Sequence, residues 1–307
     1  MRALLVVNPK ATTTTARGRE VLARALASET KVEVEETSHR GHAAALACRG
    51  MRDGVDLVVS LGGDGTVNEV VNGILTDGVH ADLPALAVVP GGSTNVFART
   101  LGLPDTPVDA TGVILDALRA RRFRSIGLGR ADGHWFTFTA GFGLDAEVVR
   151  RVERRRRAGT PLTAGRYIRT AMAHYLSRYD RRHPRLTLER PGEEPITGVF
   201  YGLVANASPW TYLGDRALNP NPEADFEAGL DLFAARSAAI VPTFWYVGQI
   251  LSRRERVRGR KLIRLHDLAE FTLRADQPTA LQVDGDDLGD RDVTHFTSVP
   301  DALRVLV

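Results

Sequence analysis

A single cysteine, Cys48, in 307 residues excludes an internal disulfide and any multi-cysteine metal site. Cys48 lies in an alanine-rich helical stretch and reads as a small core residue. No run approaches the ~18 consecutive apolar residues that a membrane-spanning helix needs. The apolar N-terminal stretch Met1–Val7 lacks the length and the small-residue cleavage site of a signal peptide, and reads as a first buried strand. Together these features predict a cytoplasmic protein. G-x-x-x-x-G-K-[ST] is absent, so the chain is not a P-loop kinase, and the H-R-D and D-F-G set of protein kinases is absent too. Neither zinc-finger spacing nor an aromatic-rich RNA-binding signature is present, so no nucleic-acid partner is expected.

Net charge is also scarce, only +3, but the basic residues are clumped. Arg150, Arg151, Arg154, Arg155, Arg156 and Arg157 form one cluster, and Arg178, Arg181, Arg182 and Arg185 a second. Arg253, Arg254, Arg256, Arg258, Arg260 and Lys261 form a third. Such clusters suit either a solvated helix face or an anionic membrane surface.

The densest chemical information lies in Leu61–Gly73, LGGDGTVNEVVNG. The apolar residues Leu57, Val58, Val59 and Leu61 read as a buried strand. Gly62, Gly63 and Gly65 follow, and then Val67, Val70, Val71 and Ile74 recur at helical spacing. A strand that ends in a glycine turn and opens into a helix can cradle phosphate. Bare backbone N–H groups reach the phosphate oxygens, and the helix N-terminus adds partial positive charge. A carboxylate inside that turn is repelled by phosphate unless it holds a cation, accepts a proton or grips a hydroxyl. Asp64 therefore points to phosphoryl chemistry with a divalent metal.

Strand-like and helical segments alternate over the first ~120 residues, which predicts a parallel sheet with helices on both faces. Strands are expected at Arg2–Val7, Lys31–Glu35, Asp56–Leu61 and Ala85–Val89. Helices are expected at Arg17–Ser28, His42–Met51, Thr66–Leu75, Val96–Leu101 and Val108–Arg121. In such sheets ligands sit beyond the carboxyl ends of the strands. That edge would carry Asn8-Pro9, the first glycine turn and a second one, Pro90-Gly91-Gly92-Ser93-Thr94-Asn95. Past residue 123 the pattern shifts to short strands at Ser125–Leu128, Trp135–Ala140, Leu186–Glu189, Thr197–Ala205, Leu230–Ala234, Phe271–Arg274 and Leu281–Val283. Helical stretches at Glu147–Arg157, Arg166–Tyr179 and Thr243–Arg254 interrupt them. The reading is an α/β domain over 1–123 and a β-rich domain over 124–300.

These segments resemble the diacylglycerol kinase catalytic domain family, to which sphingosine kinases and bacterial soluble lipid kinases are related. Gly-Gly-Asp-Gly-Thr is a core shared with NAD kinases and phosphofructokinases, whereas the continuation Asn68-Glu69-Val70-Val71-Asn72-Gly73 is specific to lipid kinases. Asn8-Pro9, Thr37 with Gly41-His42-Ala43, Pro90–Arg99 with Leu101–Pro104, Gly141–Ala146 and Asp284-Gly285-Asp286 resemble further family motifs. The resemblance implies a nucleotide-binding domain of the NAD kinase/diacylglycerol kinase type and a C-terminal β-sandwich carrying the lipid site. It also implies that a last strand near 301–307 returns to the first domain. Ser93, Val96 and Asp286 stand where the family usually has threonine, aspartate and glutamate. Ala228 replaces a carboxylate of a structural metal site, which leaves Asp225, Glu227 or Asp231 as substitutes, and Thr12–Thr15 replaces a glycine-containing segment.

The resemblance implies ATP and Mg²⁺ as cofactors. Asn8, Pro9, Thr37, Gly62, Gly63, Gly65, Thr66, Glu69, Gly91, Gly92, Ser93 and Asn95 would meet the nucleotide. Asp64 and Asp286 would meet the metal. The base that takes the acceptor's proton is Asp284 or, by analogy to sphingosine kinases, Asp64. Asp145 is either a contact to the lipid head or a helix N-cap, and Glu69 either braces the phosphate turn or faces a ribose. The implied activity is phosphoryl transfer from ATP to a lipid hydroxyl, diacylglycerol first, in a cleft between the domains. A soluble-metabolite kinase and a catalytically silent regulator are the alternatives. The expected partners are the lipid alcohol and an anionic membrane surface on the cytoplasmic side, met peripherally through Arg150–Arg157, with a homodimer possible.

Overall fold

The computed structural model describes residues 1–157, 164–252 and 256–307. The chain divides into two compact units: Met1–Leu128 with Pro300–Val307, and Gly129–Val299. It is an α/β protein with a later region rich in antiparallel strands.

The first unit runs β1 (Arg2–Val7), α1 (Ala16–Ala27), β2 (Lys31–Glu36), α2 (His42–Arg52), β3 (Leu57–Gly62), α3 (Asp64–Ile74), β4 (Ala85–Pro90), α4 (Val96–Thr100) and α5 (Pro107–Ala120). β1 pairs in parallel with β2 and β3, and β3 with β4. β3 and β4 are buried along their whole length, as sheet-centre strands with both faces covered require, and their sequences are correspondingly apolar. β2 lies at the edge of the strand order, and its charged residues remain largely in solvent. Helices α2 and α3 pack tightly because Gly73 has no side chain: a Cβ there would stand 2.3 Å from the Ala44 carbonyl oxygen. Thr15 caps α1 by accepting from the Gly18 amide, and Thr106 caps α5 by accepting from that of Asp109.

The elements that follow are β5 (Phe123–Ala131), β6 (His134–Phe136), β7 (Thr139–Phe142), α6 (Leu144–Arg157), α7 (Ala164–Ser177), β8 (Leu186–Glu189), β9 (Ile196–Val199) and β10 (Tyr201–Ala205). After them come β11 (Thr211–Leu213), β12 (Arg216–Leu218), β13 (Leu230–Ala235), α8 (Ile240–Ile250), β14 (Leu262–Leu268), β15 (Glu270–Val283) and β16 (Asp286–Leu306). β16 begins in the second unit and ends in the first, where Val305 pairs in parallel with Leu86 of β4. In the second unit β7 lies between β10 and β15, antiparallel to both, over a core that includes Phe136, Phe142, Phe271 and Phe296.

Several boundaries differ from the sequence reading. Helix α3 begins at Asp64, two residues before the expected Thr66, so the carboxylate sits in the helix's first turn. The stretches Trp135–Ala140 and Thr197–Ala205 each divide into two strands with different partners. Phe271–Arg274 and Leu281–Val283 belong to one strand, and β14 and most of β16 went unread, because their alternation is interrupted by charged residues on an exposed face. Cys48 is half-buried and not a core residue.

Candidate functional site

Parallel pairing places the strand ends side by side. Val7 pairs with Leu61, Leu61 with Val89, and Val7 with Glu36. Asn8-Pro9, Thr37, the Gly62–Gly65 turn and the Gly91–Asn95 turn therefore follow at one sheet edge. The Asn8 amide donates to the Leu61 carbonyl at 2.9 Å, and the Thr37 amide to that of Val7 at 2.8 Å. Pro9 is exposed beside them.

The two glycine turns touch backbone to backbone. The Gly91 amide donates to the Gly62 carbonyl at 2.7 Å. A Cβ on Gly92 would lie 2.7 Å from the Gly63 Cα, and one on Gly91 would lie 3.0 Å from the Gly62 Cα. The requirement for glycine here is close approach, not a left-handed backbone. Asn95 closes the second turn: its Oδ1 accepts from the Gly92 amide at 2.8 Å and its Nδ2 donates to the Gly92 carbonyl at 3.1 Å. This local bonding stabilises the left-handed backbone of Asn95, φ 50°. Asp64 Oδ1 accepts from the Phe97 amide at 3.1 Å, which ties the first turn to α4. Asn8 Nδ2 donates to Thr66 Oγ1 at 3.0 Å, which ties β1 to the start of α3.

Around Gly65 nothing lies within 4 Å of a hypothetical Cβ, and Ser93 is exposed. Gly65 and Ser93 are thus the accessible parts of the cradle, whereas Gly62 and Gly91 are buried beneath. The threonine run completes the turns. The Thr13 amide donates to the Gly91 carbonyl at 3.0 Å. A Cβ on Gly91 would meet Thr14 Oγ1 at 3.0 Å, and that hydroxyl is buried without a hydrogen-bond partner among the described residues. Thr14 is the site residue that sequence reasoning did not single out; its signal was the departure from a glycine-containing segment.

Glu69 is spent elsewhere. Its two oxygens accept from the amides of Gly41, at 2.8 Å, and Ala43, at 3.1 Å, so it caps the N-terminus of α2.

In the second unit Asp284 is buried at the tight turn after β15, with φ 47°. Its Oδ2 accepts from the amide and hydroxyl of Thr137, at 2.7 and 2.8 Å, and its Oδ1 from the amides of Phe138 and Thr139, both at 3.1 Å. Four donors engage the carboxylate, which makes Asp284 the clamp of the β6–β7 connection. Burial nonetheless pushes its pKa up, against these hydrogen bonds. Gly285 and half-buried Asp286 complete the turn. Asp64 and Asp286, expected at one metal, belong to different units.

Asp145 lies in the first turn of α6 and is not its N-cap. Its Oδ2 accepts from Gln282 Nε2 at 2.8 Å, and Gln282 Oε1 accepts from the Gly285 amide at 2.9 Å. One buried glutamine thus connects Asp145 to the Asp284-Gly285-Asp286 turn. Desolvation raises the pKa of Asp145 to about 6, opposed by the Gln282 hydrogen bond.

The basic clusters are less free than their sequence suggests. Arg150 pairs with Asp287 at 3.0 Å and Asp290 at 2.7 Å, and Arg155 donates to Thr170 at 2.6 Å. The side chains of Arg156 and Arg157, with Arg253 and Arg254, lie outside the described residues. Near Ala228, Asp231 accepts from His266 at 2.7 Å, and Asp225 accepts from the Glu227 amide at 3.0 Å. Among the described residues no group of three or more His, Cys, Asp or Glu side chains converges on a metal position.

Residues 2–131 match the family model of the diacylglycerol kinase catalytic domain. The chain is 32% identical over 157 residues to a diacylglycerol kinase of Bacillus subtilis (strain 168), a match covering 48% of each protein. It is 33% identical over 131 residues to a protein of Chromohalobacter salexigens named "Probable lipid kinase YegS-like", covering 43% of this chain and 40% of that one. The chain thus spans about half the length, or less, of the curated relatives it matches. A crystal structure of a diacylglycerol kinase from Bacillus anthracis str. Sterne matches 99% of this chain and 96% of its own, with a TM-score of 0.76 at 22% identity. That likeness establishes the fold.

Proposed function

We propose that this chain is an ATP-dependent lipid kinase that transfers the γ-phosphoryl group to a lipid hydroxyl, with diacylglycerol the first acceptor to test. The observation that carries the reading is the pair of glycine turns joined backbone to backbone at one sheet edge, with Asp64 in the first turn of α3. Bare amides and a helix N-terminus fit the phosphates of a nucleotide. Mg²⁺ suits this donor set, because it takes one or two carboxylates and shares phosphate oxygens, so a full protein cage is not needed. Bound there, it would neutralise charge on the transferring phosphoryl group. Asp64 would hold it.

We base the division of labour between the acidic residues on their hydrogen bonds. Asp284 holds the β6–β7 connection through its four donors, and its assignment as base requires that clamp to loosen. Asp64, whose Oδ1 accepts from the Phe97 amide, is the other candidate base, and as base it would act in place of direct metal ligation. Asp145 is the proposed contact to the polar head, and its bond from Gln282 would orient it.

The test is phosphate transfer from labelled ATP with Mg²⁺ into a panel of lipids in anionic mixed micelles, beside Asp64→Asn and Asp284→Asn. A labelled lipid that vanishes in Asp64→Asn supports a lipid kinase and names its acceptor. Bound ATP with no labelled lipid transfers the site to a soluble acceptor or to a regulatory nucleotide-binding role.

A further inference from the structure

Helix α8 is built inside out. Its inward positions are polar or amphipathic: Thr243, Tyr246 and Gln249 are buried. Its outward positions are Ile240, Val241, Phe244, Trp245, Val247 and Leu251, exposed by between 38% and 79%. No charged residue occurs anywhere in the helix. A surface helix of a water-soluble domain carries the reverse pattern. Its seat is fixed by directed bonds. Thr243 Oγ1 lies 3.2 Å from the Tyr201 hydroxyl, and Gln249 exchanges hydrogen bonds with the Arg258 backbone at 2.9 and 3.0 Å. Tyr246 packs on Phe233, Ala235 and Val257. The outward apolar row is therefore held in place by the fold. Contiguous exposed apolar surface of this kind marks an interaction site.

The surroundings of the row say what it meets. Arg181 and Arg182 line the same depression as Ala239, Ile240, Val241 and Pro242 at the start of α8. Asp180, the carboxylate in that depression, is occupied by His183 and Arg185, each at 3.0 Å. Arg181 also stacks over Tyr175, whose ring contacts Phe244 edge-on. At the other end Arg216 donates to the Leu251 carbonyl. An apolar row with a Trp and a Phe, flanked at both ends by guanidinium groups, is complementary to an anionic bilayer: acyl chains for the row, headgroup phosphates for the arginines. A partner protein surface would supply carboxylates as readily, but the only polar side-chain group in the row is the Trp245 indole N–H, too little to fix a register, which a fluid lipid surface does not require.

We infer that α8 is the membrane-docking helix of this protein, lying in the interface plane with its outward row among the acyl chains and Arg181, Arg182 and Arg216 at the headgroups. The inference rests on the lipid-kinase reading only for the relevance of a bilayer. It moves the docking surface from the arginines of α6, where Arg150 is held by Asp287 and Asp290.

The full chain is mixed with phosphatidylglycerol vesicles without nucleotide, and binding is read by flotation and tryptophan emission. Of the three tryptophans, Trp245 is 56% exposed whereas Trp135 is buried and Trp210 half-buried. The expected result is flotation, a blue shift, and quenching by acyl chains brominated near the headgroup, with the signal lost in Trp245→Phe while binding persists. Val241→Glu should weaken partitioning by about tenfold or more, since one buried aliphatic side chain is removed and a charge added. Arg181→Ala with Arg182→Ala should weaken binding to anionic vesicles alone. Undiminished flotation of Val241→Glu, or no quenching in the unaltered chain, would overturn the inference. So would a dimer in sedimentation that Val241→Glu dissociates without altering flotation, which would assign the face to a second copy. Phosphoryl transfer to detergent-dispersed lipid, measured in parallel on Val241→Glu, separates failure of docking from failure of the kinase reading.

Discussion

The Gly91 amide donates to the Gly62 carbonyl at 2.7 Å, so the second glycine turn is seated on the first as a strand is seated on its neighbour. The proposed phosphate cradle is consequently one continuous backbone surface formed by two separate turns.

Glycines in that surface should separate by what surrounds them. Gly92→Ala forces a Cβ to 2.7 Å from the Gly63 Cα, where only backbone can yield. It should cost about 1–3 kcal/mol of stability and weaken nucleotide binding. Gly65→Ala meets nothing within 4 Å and lies in α3. It should leave the melting temperature unchanged or raise it slightly, while lowering ATP affinity by crowding the phosphates. Thermal melts beside nucleotide titrations check both, and equal destabilisation by the two variants would contradict the assignment.

Asp64→Asn and Asp284→Asn should fail differently. Asp64→Asn should keep the fold and reduce phosphoryl transfer by about 10²–10⁴-fold if Asp64 is the base. Asp284→Asn sets an amide N–H₂ against backbone donors, and should cost about 1–3 kcal/mol of stability besides any loss of rate. A single-turnover assay paired with denaturant melts distinguishes these outcomes. A fully stable, inactive Asp284→Asn would restore Asp284 as the base.

Glu69→Ala should uncap α2 and cost about 1 kcal/mol or somewhat more. Its effect on the KM for ATP should be small, because both carboxylate oxygens already serve Gly41 and Ala43. A large KM effect with unchanged stability would return Glu69 to the nucleotide.

Asp145 carries a pH signature. Its folded pKa, about 6, is raised from 3.8 by desolvation, so the folded state holds the proton more tightly than the unfolded one. Stability from this group is full below about pH 4 and is lost as pH rises through about 6. Asp145→Asn should therefore gain on the order of 2 kcal/mol over the unaltered protein at pH 7, with the gap closing toward pH 4. Denaturant melts at several pH values test this, and a gap independent of pH would show that Asp145 titrates normally.

The α/β character, the parallel order and the position of both glycine turns at a strand-end edge were legible because each depends on local pattern: apolar runs, helical periodicity and glycine punctuation. The first glycine turn was readable down to Asp64. Its place inside α3 was not, since a helix's first residue is set by capping contacts. Glu69 shows the limit of motif reading. It sits one helical turn past the glycines, yet its partners are amides of α2, reached only because Gly73 lets the two helices close.

What the sequence determined by itself is the chemistry on offer: bare backbone, one carboxylate among glycines, and a nucleotide-type strand–turn–helix. Only tertiary structure decided which groups are committed. It filled the acceptor sites of Asp284, joined Asp145 through Gln282 to the Asp-Gly-Asp turn, tied Arg150 to two aspartates and turned the apolar row of α8 outward. The physical reason is that hydrogen-bond partners and burial are properties of pairs distant in the chain, whereas propensity and periodicity are properties of neighbours.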